Sequence, residues 1–390
     1  MDTIRIGVAG LGHRARGAWV PVLQKMPGYR ITAFYDWIEP LHAKTRPLLQ
    51  HPAEVTSYTD WKVFLADPNI DAVALCVRQP DQGALAAQAL EAGKHVISEV
   101  PAAHSIEDCW RIVLAAERTG KVYFLAEQVR YSGYVQAWQK LVQEGRLGKI
   151  VLCESQYIGY YGTLQWFQDY TTGEFYPVEE LAAHPNAKPN WLHKMPPIHY
   201  LPHELSPMLK VLGDRVTEVT AMSTRAPSYV DRRIGSPDMQ VALMRTEKDT
   251  LLRMATGFNI KGPADDHHWN QLLGTEGRVE WRRTPKDRPK MWIASEQMHQ
   301  MAEMDWRYER SDAPDEAHLT GHSGMDYYVY APFREAVLRG TPPEFDLYQA
   351  MDTAAPAILA ADSIAQGSVL LKVPDFRPNA GRRKGQMPGG

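Results

Sequence analysis

The chain has 390 residues, 44% of them apolar and 23% charged, with a net charge of −3. That length calls for two or three domains, and the composition is that of a soluble globular protein. The charge leaves no basic field to draw in nucleic acid or anionic lipid, and no apolar run nears the roughly 18 residues that span a bilayer.

The first element is an apolar strand, Ile4 to Ala9, followed by Gly10-Leu-Gly12-His13-Arg14-Ala15 and then a helical pattern. This is G-x-G-x-x-A between strand and helix. Gly10 permits the tight turn, Gly12 lets backbone approach a pyrophosphate, and Ala15 allows close helix–sheet packing. The helix start offers N–H groups to the phosphates, and Arg14 and Arg16 are placed to assist. A second strand, "YRITAFYD", ends at Asp36, 24 residues beyond Gly12. An acid there accepts bonds from the ribose 2′-hydroxyl and repels a 2′-phosphate, which favours NAD over NADP. Trp37 is placed to cover the adenine.

Strands "IDAVALCV", "KHVISEV" and "KVYFLAEQ" follow, alternating with helices "ALAAQALEAG" and "IEDCWRIVLAAERTG". The alternation predicts a doubly wound parallel sheet, a Rossmann domain over residues 1–128.

From Tyr131 the rhythm changes. A helix, "SGYVQAWQKLVQEGRLG", leads to the strand "KIVLCESQYIGYY". Residues 162–202 are rich in proline and aromatics without clear periodicity, and a loop of that length is usually functional. A short helix, "HELSPMLKVLG", precedes several β segments between residues 216 and 295, and two helices follow near 325–339 and 347–367. The pattern predicts an α/β domain over 129–373 with a large open, mainly antiparallel sheet. Such a sheet leaves one face to be covered, which predicts a homo-oligomer. Residues 374–390 form a basic, Gly/Pro-rich tail, expected to be flexible or to lie on a neighbouring subunit.

The start "MDTIRIGVAGLG" enters a strand pattern with no cleavable leader, and Cys76, Cys109 and Cys153 form no CxxC pair. Both features suit a reducing, cytoplasmic location.

The segments "GLGHRA", "EAGKHVISEVPAA", "AEQVRY", "EGRLGKI" and "GTEGRVEW" together resemble the Gfo/Idh/MocA oxidoreductases. The resemblance implies a nicotinamide-binding Rossmann domain joined to a domain with an open sheet, acting on sugars or related polyols. Typical members carry Glu-Lys-Pro where this chain has Glu99-Val100-Pro101, and that lysine contacts the reacting hydroxyl. The "EVPAA" stretch, with "HYLPHELSPML", "GHSGMDYY" and "VPDF", is more similar to the branch of NAD-dependent α-N-acetylgalactosaminidases and other glycoside-active proteins. Glu127-Gln128 stands where that branch has Glu-Asn, and Arg78-Gln79 where it has Thr-Pro. The resemblance adds His13, Arg78, Val100 and Gln128 to the cofactor-binding positions. It implies that Glu99 orients the nicotinamide ribose or carboxamide.

Removing hydride from a secondary alcohol requires removing the hydroxyl proton too, and valine cannot take it. His203, expected at the start of a helix, is the leading candidate. An imidazole titrates near about 6.5, and the helix N-terminus pushes it lower, so a neutral, proton-accepting ring is expected. The resemblance puts it at the nicotinamide end of the cleft. Tyr200 and Tyr157 are the other catalytic candidates, as donors or proton relays. Tyr131, His199, His322 and Asp326 are candidate substrate-binding residues. His193, His199 and His203 could in principle share a metal, but Pro202 interrupts a common helix face and no cysteine or clear carboxylate joins them, so no metal is expected. His267 and His268 are adjacent in a strand-like segment and point to opposite faces.

Three functions stay open. The first is an NAD-dependent oxidoreductase on a sugar or glycoside, forming a 3-keto sugar at C3. The second is a redox-neutral glycosidase using tightly bound NAD through oxidation, elimination, water addition and reduction. The third is a non-catalytic sugar- or NADH-sensing module.

Overall fold

A computed structural model describes residues 3–160, 166–262 and 267–389. Six parallel strands open the fold: β1 (Ile4–Ala9), β2 (Tyr29–Tyr35), β3 (Thr56–Tyr58), β4 (Ala72–Leu75), β5 (His95–Ser98) and β6 (Tyr123–Leu125), in the order β3-β2-β1-β4-β5-β6. β4 is buried along its whole length and β1 at all but Arg5, the signature of a sheet covered on both faces. The covering helices are α1 (Val20–Leu23), α2 (Glu39–Thr45), α3 (Trp61–Ala66), α4 (Gln79–Glu91) and α5 (Ile106–Thr119). The helix after the glycine turn opens as a π-turn over Ala15–Trp19 before it becomes α1, an irregularity that recurs at functional sites. Edge strand β3 was not expected: three residues, two of them exposed, give no periodic signal.

The second domain begins with α6 (Gly133–Gln143) and β7 (Ile150–Ile158). The stretch expected as an aperiodic loop instead carries a three-stranded sheet: β8 (Phe167–Asp169), β9 (Glu174–Tyr176) and β10 (Lys188–Pro189). Residues 161–165, at its start, lie outside the described residues. After α7 (Pro202–Leu212) come β11 (Val216–Ser223), β12 (Gln240–Thr246), β13 (Leu251–Gly257), β14 (His268–Gly274), β15 (Gly277–Glu280), β16 (Lys290–Ile293) and β17 (Ala302–Glu303). Helices α8 (Tyr327–Arg339) and α9 (Leu347–Ala365) and strand β18 (Leu371–Lys372) close the domain. The large sheet runs β17-β16-β15-β14-β7-β13-β12-β11-β18, and every neighbour pair is antiparallel except β7 with β13.

Helix α9 starts at a capping box formed by Asp346 and Gln349, and it packs against β11 on one side and against α5 and β6 on the other. Tyr29 donates its hydroxyl to the Tyr330 carbonyl at 2.6 Å, and Arg334 reaches the Pro27 carbonyl at 2.8 Å. These contacts tie α8 to the chain entering β2, while residues of both domains meet beside the carboxyl ends of the parallel strands, where doubly wound sheets bind ligands.

The tail departs from expectation. Its Arg382 is buried and pairs with Glu117 of α5 at 2.5 and 2.9 Å, while Phe376 packs against Trp110 with ring centres 4.5 Å apart. The segment is therefore anchored on its own first domain, by a buried ion pair that the basic composition did not reveal. No described helix is long and apolar enough to cross a membrane.

Candidate active site

Two adjoining cavities open where the domains meet. The larger, about 570 Å³, is lined by Gly10, Gly12, His13 and Arg14 after β1, Asp36 and Trp37 after β2, and Arg78 after β4. Gly10 adopts φ +85°, and a Cβ there would stand 2.4 Å from the Cys76 carbonyl oxygen, so the turn requires glycine. A Cβ at Gly12 would meet nothing within 4 Å, which leaves bare backbone facing open space. Ala15 is fully buried behind the turn, and Arg16 does not line the cavity.

Asp36 lies at the end of β2. Its two carboxylate oxygens accept from the Leu11 and Ile38 N–H groups, each at 2.8 Å. Burial nevertheless raises its pKa against those bonds. Each oxygen keeps a lone pair, so the acid that shapes the glycine turn can also receive ribose hydroxyls. Trp37 is 50% exposed, stacks on Tyr170 with ring centres 5.6 Å apart, and has the Arg78 guanidinium 5.9 Å from its ring. Open backbone at Gly12, an acid at the ribose position and an aromatic rim fit a dinucleotide.

The far wall comes from the second domain. Phe175 lies 5.1 Å from the His13 ring, Lys44 pairs with Glu174 and donates to the Thr172 carbonyl at 2.9 Å, and Gly173 packs on Leu41. The small β8–β9 hairpin thus reaches across the crevice to α2. Burial and the nearby Arg16 charge lower the His13 pKa.

The second cavity, about 330 Å³, shares Arg14, Cys76, Val77, Trp191 and Tyr200 with the first. Glu99 and Val100 lie on its wall. Glu99 accepts from Arg14 Nε at 2.5 Å, Trp19 Nε1 at 2.7 Å and the Val100 N–H at 3.1 Å. Burial opposes its charge, but these partners win and hold its pKa below the usual value. Glu99 thereby fixes Arg14 at the mouth of the dinucleotide crevice.

Three histidines line this cavity, and each is backed by a carboxylate. His203 Nδ1 stands 2.8 Å from Glu127 Oε2, His268 Nδ1 meets Glu204 Oε1, and His322 Nδ1 lies 2.8 Å from Asp326 Oδ1. The His203–Glu127 contact becomes an ion pair only when the ring is protonated. With Nδ1 turned to a carboxylate, Nε2 is the nitrogen left for chemistry on His203 and His268. Tyr200 lies parallel to His203 with ring centres 6.1 Å apart, and Tyr157 meets it edge-on at 5.7 Å. Gln128 Nε2 is 3.4 Å from His322 Nε2.

The structure corrects the expected charge state of His203. It sits in the first turn of α7, as foreseen, but its pKa is raised rather than lowered. Burial is the largest single influence and disfavours the charged ring, but the charge and contact of Glu127, joined by the charges of Glu99 and Glu204, together outweigh it.

Two candidates lie elsewhere. Tyr131 stacks on Tyr328 and carries the Lys210 ammonium 5.0 Å from its ring, outside both cavities. His199 is buried, receives a bond from Gln79 Nε2 at 2.7 Å, and has its pKa lowered to about 3 by burial and the neighbouring His104. Asp326 acts through His322 rather than lining the cavity itself. The three histidines weighed for a metal diverge, with His193 Nε2 bonded to the Arg233 carbonyl at 2.7 Å.

His268, Glu127 and Glu204 were missed. His268 faces Tyr157 across the β14–β7 ladder, and the rings stack at 4.2 Å. The signal in sequence was the alternation at His267–His268: one of two adjacent strand histidines must point inward.

The first domain matches the model "Oxidoreductase family, NAD-binding Rossmann fold" over residues 4–127. Residues 131–381 match "Glycosyl hydrolase 109, C-terminal domain". A glycosyl hydrolase family 109 protein of Porphyromonas gingivalis is 26% identical, covering 99% of this chain and 87% of the relative. One from Solibacter usitatus is also 26% identical, over 96% and 88% of the two chains. Among solved structures, levoglucosan dehydrogenase in complex with NADH and levoglucosan superposes with a TM-score of 0.72 at 16% identity, covering 95% of this chain and all of that one. An Agrobacterium radiobacter oxidoreductase in complex with NAD+, L-tartaric acid and magnesium gives 0.71 at 16% identity, over 95% and 98%. The glycine turn, the acid at Asp36 and the match of the whole second domain lead to one assignment: the chain belongs to the glycosyl hydrolase 109 family, built on the NAD-binding Rossmann domain of the Gfo/Idh/MocA oxidoreductases.

Proposed function

We propose that the chain oxidises a ring carbon of a sugar or glycoside, at C3, and that His203 takes the hydroxyl proton. The observation that carries this reading is the His203–Glu127 pair, 2.8 Å apart, on the wall of a cavity that adjoins the dinucleotide crevice. When bound, NAD supplies the hydride acceptor. The chain's own residues do the rest. Gly10, Gly12 and Asp36 hold the dinucleotide, with Trp37 and Arg78 at its adenine end. Glu99 steadies Arg14. Val100 gives an apolar wall where related dehydrogenases place a lysine. His203 Nε2 accepts the proton, and Glu127 stabilises the resulting imidazolium. Tyr200 and Tyr157 bond or relay to sugar oxygens, and His322 with Gln128 receives a further hydroxyl.

The match of residues 131–381 to a glycosyl hydrolase domain favours a redox-neutral course within the same site. A ketone at C3 acidifies the C2 proton, the group at C1 departs, water adds, and the hydride is restored. The β8–β9 hairpin across the crevice supports a cofactor retained between turnovers.

The test is to incubate the NAD-loaded chain with a panel of 4-nitrophenyl glycosides while following NADH absorbance and released nitrophenol together. Release without NADH accumulation is expected. NADH accumulation without release would establish net oxidation instead, and neither signal across the panel would reject the enzyme.

Two further elements belong to this reading. Its three cysteines are unpaired, which supports a reducing, cytoplasmic setting. On the sheet face turned away from the helices, Met222, Leu243 and Leu251 are 71%, 56% and 50% exposed, which supports a homo-oligomer closed over that face. Elution as a single 44.1 kDa particle would contradict the oligomer.

A further inference from the structure

We propose that His268, oriented by Glu204, is a second proton-transfer group, acting on the carbon next to the one oxidised. The inference rests on the proposed sugar oxidation at the same site.

Its starting point is a shortage. Once His203 has taken a hydroxyl proton, the Glu127 charge holds that proton on the ring. A protonated imidazole cannot accept again, so a second deprotonation in the same turnover needs a second base. His268 is the imidazole in place. It lines the same cavity, its Nδ1 is committed to Glu204, and its ring centre is 6.4 Å from that of His203. Two bases that far apart, each reaching about 3 Å, can address substituents on neighbouring ring carbons. Glu204 is fully buried on α7, one residue after His203, so one helix turn positions both groups. Tyr157, stacked on His268 at 4.2 Å and edge-on to His203 at 5.7 Å, fixes the spacing between the two rings. His322 is less suited, because its Nε2 already faces Gln128.

The step balances without an added reagent once the ketone is present. The C–H bond beside the carbonyl breaks, its proton passes to His268 Nε2, and its electron pair delocalises onto the ketone oxygen as an enolate. When the C1 substituent leaves, that pair forms the C1=C2 bond. The C1–O electrons depart with the oxygen, which takes the proton back from the imidazolium. Glu204 is a positioning residue in this scheme, since it acts only through His268.

The experiment supplies the ketone directly. The NAD-loaded full chain is incubated in D₂O with methyl 3-keto-α-D-glucopyranoside, and deuterium at C2 and released methanol are followed by NMR. Wild type should catalyse both. His268→Gln should lower exchange by about 100-fold or more, within the range for a general base, with melting temperature and NAD affinity held. His203→Gln should lower exchange by much less, because it serves the hydroxyl oxygen. Glu204→Gln should reduce the exchange rate while KM for the ketone stays within about twofold, a split that a merely structural role would not give. Exchange at the wild-type rate in His268→Gln, or an equal loss in His203→Gln, would overturn the assignment. A wild type that oxidises glycosides but exchanges no C2 proton would overturn it while leaving the proposed oxidation intact. A wild type that exchanges C2 but never forms NADH would do the reverse.

Discussion

The two halves of the interdomain cleft are built in different ways. The dinucleotide half is made of backbone: the Gly10 turn, the exposed chain at Gly12, and an acid tied to the Leu11 and Ile38 amides at 2.8 Å. The half we assign to the sugar is made of side chains paired across long sequence separations, such as His203 with Glu127 and His268 with Glu204. A backbone site tolerates little change in shape but few of its side chains carry chemistry. A side-chain site can exchange one proton acceptor for another, as we propose here of imidazole for amine, without altering the fold. Substitutions in the two halves should therefore separate cleanly, with cofactor binding moving in one and proton transfer in the other.

After the loss of His203 itself, the largest effect that sharpens this contrast is expected at Glu127. Glu127→Gln removes the charge that raises the His203 pKa. A base must be neutral to accept, so wild-type kcat/KM should rise with pH through a value above 6.5. In Glu127→Gln that rise should move to lower pH, and the plateau should fall by about 10- to 100-fold as the imidazolium loses its stabilising charge. An unmoved limb in the pH profile would show that His203 is not the titrating base. The same coupling bears on stability. A raised histidine pKa contributes stability in full below its unfolded value of about 6.5, and that contribution fades as pH climbs through the folded value.

A smaller effect is expected in the dinucleotide half. Asp36→Ala removes the charge that opposes a 2′-phosphate and should narrow the preference for NAD over NADP by about tenfold, or ~1.4 kcal/mol. Equal NAD and NADP affinities in wild type would contradict the role of this acid. Smaller still, Tyr170→Ala removes the ring stacked on Trp37. A loss of about 0.5–1.5 kcal/mol should weaken NAD binding by several-fold and speed its release, with no change in the pH profile. A shifted pH profile in that variant would break the proposed division between the halves.

The same contrast explains what could be read from sequence. Strand, glycine turn, helix and acid lie within residues 4–36, so local spacing announced the cofactor half and the Rossmann sheet around it. The exceptions were short or irregular: the three-residue β3 and the π-turn over Ala15–Trp19. The sugar half depends on which strands and helices meet. His203 was legible because proline and acid neighbours marked a helix start, yet its charge state was not, since Glu127 is 76 residues earlier. His268 entered only with the β14–β7 register that sets it against Tyr157. His199 and Tyr131 carry suitable side chains, but packing turns one toward Gln79 and the other under Lys210. The tail was misjudged for a like reason: its composition is that of a mobile segment, and only the buried Glu117 partner of Arg382 fixes it.

The most direct test of imidazole in place of lysine is rapid mixing of NAD-loaded wild type and His203→Gln with a glycoside that wild type turns over, reading the NADH band within a single turnover. Wild type should show a transient whose rate climbs with pH, and the variant should lose at least 100-fold in that rate while binding NAD as before. A transient of the same rate and pH dependence in His203→Gln would contradict the account.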